Sequence, residues 1–327
     1  MRAMVCSSFD GPAALTVGEL PEPQPGPGDV LVEVHAASLT FMDCLMVSGQ
    51  YQLRPSLPFA PGTEAAGVVL AVGRDVTRFR PGDRVACGEY VGTFAERLAI
   101  DESLVTRIPE GLSFEVAATV RHAYGTAWYA LVERARLQAG ETVFVTGAAG
   151  GVGLATVDLA VHLGARVIAG IGDDEKANVV RRYGAAEVLN YRREDLRSRI
   201  KELTGGQGVD VCFESVGGEV FDQMTRLMAW NGRLMPIGFA GGKVPSVPMN
   251  LPLLKNYSIV GVFTGAAFKR EPELTQRMHD ELMRLTAQGS LKPLIQEVVP
   301  LEQAPQAMQR LLERKVTGRI VLRMRDA

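Results

Sequence analysis

Val143-Phe-Val-Thr-Gly-Ala-Ala-Gly-Gly-Val-Gly153 runs an apolar strand straight into a glycine cluster, and an amphipathic helix, Leu154 to Leu163, follows. A dinucleotide pyrophosphate needs that order. Gly150 and Gly151 let the backbone come close to the phosphates, Gly153 lets the helix lie against the strand, and the helix N-terminus attracts negative charge. A bare glycine triplet is weak evidence; here the flanking strand and helix periods agree with it. The run departs from G-x-G-x-x-G at one place, where Ala148 stands for the first glycine.

Outward from this run, strands and helices alternate. Phe114 to Arg136 has a helical pattern before it. After it come strand Arg166–Ala169, helix Glu175–Tyr183, strand Glu187–Leu189, helix Arg193–Leu203 and strand Val209–Glu214. Helix Phe221–Met228, strand Gly232–Ile237 and a last strand near Tyr257–Val262 complete the series. Parallel strands need crossover helices, so the pattern predicts an α/β, doubly wound parallel sheet of about six strands.

The first third reads differently. Pro21 to Gly28 is a proline-glycine turn region, Val30 to Val34 alternates, Glu64 to Val72 is a strand, and a Pro-Gly-Asp turn precedes another near Val85. Short strands between turns predict a compact β-barrel-type domain. After a helix over 271–288 the tail returns to strand and turn character, ending in a strand at Gly318–Met324. The tail is therefore expected to rejoin the N-terminal part. We expect domains at 1–120, completed by 267–327, and at 121–266.

The chain has 327 residues, enough for two cores. A net charge of −2 gives no electrostatic case for a nucleic-acid partner. No apolar run reaches the roughly 18 residues of a membrane span. The N-terminus has no signal-peptide apolar region and reads as a first strand. Cys6, Cys44, Cys87 and Cys212 lie far apart without a C-x-x-C pair, so a reducing cytoplasm and buried packing are the expectation.

Several blocks together resemble the quinone oxidoreductase (zeta-crystallin-like) branch of the medium-chain dehydrogenase/reductase superfamily. They are Gly28-Asp-Val-Leu-Val-Glu-Val34, Ser38-Leu-Thr-Phe-Met-Asp43, Ser48-Gly-Gln-Tyr51, Pro61-Gly-Thr-Glu64, Pro81-Gly-Asp-Arg84, the glycine run with its Ala148, Asp210 to Gly218 and Gly232 to Gly238. The resemblance spans essentially the whole chain. It implies a GroES-like catalytic domain, a Rossmann NADP(H)-binding domain, a cleft between them and a homodimer.

Alcohol dehydrogenases of that superfamily hold catalytic zinc through Cys, His and a later Cys or Asp. The similar positions here are Thr40 and Thr63, and neither hydroxyl is a credible zinc ligand. The stretch after Val85 has only Cys87 where a structural zinc lobe needs four cysteines. No metal is expected, and oxidation through a metal-activated alkoxide is not expected either.

An NAD-preferring site places an acid at the end of the second strand. By family register that position is Ile171. Lys176 and Tyr191 resemble residues that reach the 2′-phosphate of NADPH, and Arg314 matches a C-terminal arginine near the same end. Asp173 stands nearby, either weakening NADPH preference or capping the next helix; a solvated helix lysine is the plain alternative for Lys176. The resemblance implies NADPH as cofactor, with NADH as the second choice. It further implies cofactor contacts at Ala148, Ala149, Gly150, Gly151, Val152 and Gly153, at Thr126, and at Gly238 and Phe239 where the fifth strand ends.

A quinone or enone accepts hydride without a metal, because its conjugated carbonyl stabilises the developing charge; a proton must follow. Tyr51 matches a substrate-cleft tyrosine that steadies the carbonyl or passes a proton, unless it only packs a loop. Thr40 replaces the usual Asn at the nicotinamide end, and a hydroxyl cannot copy the paired geometry of an amide. Asp43 orients backbone or does acid–base work. His122 and Tyr124, in Arg121-His-Ala-Tyr-Gly-Thr126, border the nicotinamide by resemblance; Arg121 and His122 are unusual there and mark a polar acceptor or simple packing. Leu253, Leu254 and Phe263 form an apolar pocket wall, core or dimer contact.

The expectation is a zinc-independent NADPH-dependent reductase of quinones or related α,β-unsaturated carbonyls. Its competitors are an enone, alkenal or enoyl-thioester double-bond reductase and, from another class, an NADPH-binding crystallin- or RNA-binding-type protein with little turnover. The expected partner is a small-molecule acceptor, with no membrane and no nucleic acid.

Overall fold

Alternating side chains set the first sheet: Val30, Val32 and Val34 are fully buried while Leu31 and Glu33 are partly exposed. The computed structural model describes residues 1–325. Its chain begins with β1 (Arg2–Val5), β2 (Thr16–Glu19), β3 (Asp29–Ser38) and helix α1 (Phe41–Val47). Strands β4 (Glu64–Val72), β5 (Arg84–Gly88), β6 (Arg97–Asp101) and β7 (Val105–Arg107) follow. Next are α2 (Phe114–Ala117), α3 (Val120–Trp128), β8 (Thr142–Val145), α4 (Gly151–His162), β9 (Arg166–Ile171), α5 (Ala177–Arg182) and β10 (Glu187–Asn190). Then come α6 (Leu196–Leu203), β11 (Val209–Glu214), α7 (Gly218–Met224), β12 (Met228–Pro236), α8 (Asn250–Lys255) and β13 (Ser258–Ile259). The chain closes with α9 (Thr264–Arg270), α10 (Pro272–Ala287), β14 (Ile295–Pro300), α11 (Ala304–Leu312) and β15 (Arg319–Arg323).

Two units divide these elements: residues 1–122 with the segment from Gly265 onward, and residues 123–264. In the first, the sheet order is β14-β15-β3-β4-β5-β7, with β6 also paired to β3. The tail strand β15 pairs antiparallel with β3, Val321 opposite Ser38, so the C-terminus completes the N-terminal sheet. Its core gathers Met4, Leu39, Met46, Val85, Phe94 and Leu322. Strands β3 and β4 approach closely at Gly67, where a Cβ would fall 1.8 Å from the Glu33 carbonyl oxygen.

The second unit is a six-stranded sheet of order β10-β9-β8-β11-β12-β13. Every neighbouring pair is parallel. Numbered from β8, that is 3-2-1-4-5-6, the doubly wound Rossmann order whose switch point lies between β8 and β11. Phe144, Ile168, Cys212 and Leu234 are fully buried, as strands covered by helices on both faces require.

Some boundaries differ from the sequence reading. The helical stretch before β8 splits into α2, α3 and a π-helical turn at Tyr129–Arg134. Helix α7 starts and ends earlier than Phe221–Met228, because Met228 is already paired with Val209 in the sheet. The last strand of the series is only Ser258–Ile259, paired with β12 through Arg233 and Leu234.

Candidate cofactor and catalytic site

The carboxyl end of β8 turns sharply at Gly147, whose φ of 60° suits glycine. Gly150 caps α4, and no side chain makes a cap hydrogen bond to the first turn of the helix. A Cβ on Gly153 would lie 2.2 Å from the Gly147 carbonyl oxygen; only hydrogen fits where the helix backs onto the loop. Ala148 is fully buried and donates its N–H to the Gly170 carbonyl (3.0 Å), and Ala149 is also buried. The first turn of an α-helix has N–H groups with no intrahelical acceptor. This cradle therefore fits a pyrophosphate, and Gly150, Gly151, Val152 and Gly153 form its rim.

Beside it, the end of β11 is held by a carboxylate. Glu214, fully buried, accepts from the N–H groups of Val216 (2.9 Å) and Gly217 (2.9 Å) and from the Thr146 hydroxyl (3.1 Å). Burial raises its pKa, and those donors oppose the rise. Ser215 donates its hydroxyl to the Thr146 carbonyl (3.1 Å), which ties the two loops at the switch point. Gly238 and Phe239 lie beyond the end of β12 at Pro236, not within the strand. Their loop is held by Ala240 N–H to the Ser215 carbonyl (3.1 Å) and Gly241 N–H to the Val216 carbonyl (2.7 Å).

At the end of β9, Ile171 is buried. Asp173 accepts from the Glu175 N–H (3.1 Å) and caps the short 3-10 turn Asp174–Lys176. Lys176 is half-buried; burial lowers its pKa and Asp173 opposes that. Above Gly172 a Cβ would meet Arg192 Nε at 3.2 Å and the Tyr191 hydroxyl at 3.3 Å. Tyr191 and the exposed Arg192 thus flank the same turn, and Arg192 escaped the sequence reading.

Two expected residues are buried in the second unit. Tyr124 is buried and donates its hydroxyl to Asp158 of α4 (2.7 Å), which ties α3 to α4. Thr126, on α3, is also buried. Phe263 is 54% exposed, as are Leu253 and Leu254 at 79% and 69%. Arg314 holds a left-handed backbone (φ 61°) after α11.

In the first unit, Thr40 caps α1 in a capping box with Asp43. The Asp43 Oδ2 accepts from the Thr40 N–H (2.7 Å) and hydroxyl (2.8 Å), and the Asp43 N–H donates to Thr40 Oγ1 (3.1 Å). Thr63 donates its hydroxyl to Thr40 Oγ1 (3.3 Å). All three are buried. Burial pushes Asp43 up to about 7, against the hydrogen bonds from Thr40. Next to them Glu64 pairs with Arg319, which also donates to Ser38 Oγ (2.9 Å); Glu64 further accepts the His122 N–H (2.8 Å). Sequence reasoning missed this buried ion pair, although Glu64 stood in the quoted Pro61–Glu64 block.

His122 is pushed down to about 3 by burial, then by the Arg319 charge, so its imidazole is neutral. Arg121 is buried and donates to Thr106 Oγ1 (2.6 Å). His279 lies against the Arg121 carbonyl, Nε2 at 3.4 Å. Tyr51 lies beside Tyr90, ring centroids 6.5 Å apart and planes tilted by 46°, and burial pushes its phenol up to about 12, so it is a donor at neutral pH. Among the described residues no group of three or more His, Cys, Asp and Glu side chains is arranged to hold a metal ion. No helix among them is long and apolar enough to cross a membrane.

Family models match both units: an alcohol dehydrogenase GroES-like domain over residues 26–110 and a zinc-binding dehydrogenase model over residues 151–280. A quinone oxidoreductase-like protein 2 homolog from Nematostella vectensis is 41% identical over 325 residues, covering 98% of this chain and 88% of that protein. Among solved structures, a mycobacterial protein in complex with NADPH superposes with a TM-score of 0.93 at 33% identity, over 99% of this chain and all of that one. Escherichia coli quinone oxidoreductase in complex with NADPH gives a TM-score of 0.91 at 30% identity, again over 99% of this chain and all of that chain.

Proposed function

The chain belongs to the quinone oxidoreductase branch of the medium-chain dehydrogenase/reductase superfamily, and from that premise we propose that it is an NADPH-dependent, zinc-independent reductase of quinones or related α,β-unsaturated carbonyls. The observation that carries the reading is the donor set of the first unit. Where metal-using relatives place ligands, this chain has the hydroxyls of Thr40 and Thr63, bonded to each other and to Asp43. Hydroxyls without thiolate or imidazole are poor zinc ligands. Without a Lewis acid, the acceptor must stabilise its own developing charge, which a conjugated carbonyl does.

The glycine cradle from Gly147 to Gly153 would hold the pyrophosphate, and the nicotinamide supplies the hydride. The preference for NADPH rests on three features at the end of β9: Ile171 in place of an acid, Asp173 engaged as a cap, and the cationic Lys176 and Arg192 with Tyr191 beside the turn. Gly238, Phe239, Thr126 and Arg314 complete the cofactor assignment by family register. Tyr51, protonated at neutral pH, suits a donor to the acceptor carbonyl. Exposed apolar residues along 249–263, with Trp230 beside them, suit a homodimer.

Steady-state NADPH oxidation against a panel of quinones and enones tests the reading. We expect turnover with at least one conjugated acceptor and none with simple alcohols and NADP⁺. NADPH binding without consumption across the panel would leave the low-turnover binding protein standing instead.

A further inference from the structure

Three buried side chains form one hydrogen-bonded line: Thr63 Oγ1 to Thr40 Oγ1 at 3.3 Å, and Thr40 Oγ1 to Asp43 Oδ2 at 2.8 Å. We propose that this line is a proton relay, in which Asp43 is the proton reservoir and the Thr63 hydroxyl is the group that protonates the reduced acceptor. The proposal rests on the reading above for the identity of the acceptor.

Geometry supports the line and its Asp43 end. At the inner end, Asp43 is 1% exposed and its Oδ1 has no hydrogen-bond partner. An ionised carboxylate left half-solvated by protein in this way is costly, so the neutral acid is favoured. The charges around it oppose each other: Arg319 of β15 favours the carboxylate and Glu64 of β4 disfavours it, while Cys44, the next residue on α1, is held neutral by burial. Desolvation decides, and the group titrates at about 7. At the other end Thr63, also buried, has no hydrogen-bond partner for its Oγ1 among the described residues besides Thr40. When Asp43 carries a proton on Oδ2, it donates to Thr40 Oγ1, the Thr40 hydroxyl turns to Thr63, and the Thr63 proton needs an acceptor from outside the protein. Thr40 stays satisfied in either direction, because it also accepts the Asp43 N–H (3.1 Å).

The chemistry balances. The electron pair arrives as hydride from the reduced nicotinamide, which is oxidised, and the conjugated acceptor becomes an oxyanion. The oxyanion takes the Thr63 proton, Thr63 takes that of Thr40, and Thr40 takes that of Asp43. Asp43 is left as a carboxylate and regains a proton from water before the next turnover.

Two measurements test it. Infrared difference spectra of the cofactor-free protein should show a protonated-carboxyl band that is lost with a midpoint near pH 7 and is missing in Asp43→Asn. In steady state, Thr63→Val should lower kcat by about 100-fold, the lower range for loss of a general acid, with the KM for NADPH unchanged, and Thr63→Ser should restore it. The wild-type kcat should fall as pH rises through 7, and Asp43→Asn should remove that limb. An active wild type with Thr63→Val at full kcat overturns the relay and leaves the proposed function intact. A wild type that turns over no conjugated acceptor overturns the function itself, while the infrared titration still reports the state of Asp43. Absence of the carboxyl band at pH 5 also overturns the relay. If Asp43→Asn does not fold, the Thr63 pair decides.

Discussion

A neutral imidazole locked beside a guanidinium gives the fold an acid weakness. His122 is held at about 3 in the folded chain, against an ordinary value near 6.5. Between those values the unfolded chain takes up a proton that the folded one refuses, so stability falls as pH drops from about 6.5 towards about 3. The slope is at most about 1.4 kcal/mol per pH unit for one such group. His279, buried and likewise held well below its usual range, acts in the same direction. We expect His122→Gln to flatten the fall in Tm between pH 6.5 and 4, measured by calorimetry; an unchanged slope would mean that the imidazole is protonated in the fold. A second test at this scale concerns Lys176. Removing a charge-assisted phosphate contact costs about 1.5–3 kcal/mol, so Lys176→Ala should raise the KM for NADPH about 10- to 100-fold and leave that for NADH nearly unchanged. Equal effects on the two cofactors would return Lys176 to the role of a solvated helix lysine. Neither Arg319 nor its pairing with Glu64 was legible in the sequence, because the partners are 255 positions apart and no local pattern joins them. Arg192 was obscured for a different reason: it sits in a run of charged residues, and only the fold brings it over Gly172.

The β8–loop–α4 unit was read from sequence because its constraints are local. An apolar strand, a turn with positive φ, a bare helix cap and a tight helix–loop contact each leave a residue signature within a dozen positions. The same contact makes a sharp prediction. Gly153→Ala places a Cβ against the Gly147 carbonyl oxygen, at 2.2 Å in the present geometry, and that oxygen belongs to backbone that cannot swing away. The α4 N-terminus must move outward, so NADPH affinity should drop at least 100-fold by fluorescence titration, with a lower Tm as well. Wild-type affinity in that variant would refute the cradle assignment. Helix ends were read less well than strands. Helix α7 begins at Gly218, ahead of the apolar periodicity that suggested Phe221, because Gly217 and Gly218 both adopt positive φ and turn the chain there. Tyr124 shows the opposite limit. Its place in the Arg121–Thr126 segment suggested a substrate residue; the bond of its hydroxyl to Asp158, 34 positions on, leaves no mark in the local sequence.

For the whole molecule, the surface of the second unit carries several large apolar side chains. Trp230, Met249, Leu253 and Leu254 are each at least 69% exposed, and Phe263 is 54% exposed. Lys255 donates to the Met228 carbonyl (3.0 Å) and Asn256 to Asn231 Oδ1 (2.6 Å), which holds α8 against the part of β12 that carries Trp230. Strand β13 lies at the sheet edge, with β12 as its neighbour. Large apolar side chains clustered near an exposed strand edge mark an association surface. In the proposed homodimer, a two-fold axis would let one edge and one apolar cluster meet their own copies. Leu253→Glu combined with Leu254→Glu buries charge in that contact and should convert a dimer into a monomer by light scattering at micromolar concentration. Both side chains are exposed in the single chain, so its fold should survive, and NADPH binding to the Gly147–Gly153 cradle should persist within a few-fold. A wild-type chain that already runs as a monomer refutes the surface assignment. A double variant that stays dimeric moves the interface elsewhere and frees Leu253, Leu254 and Phe263 for the acceptor pocket.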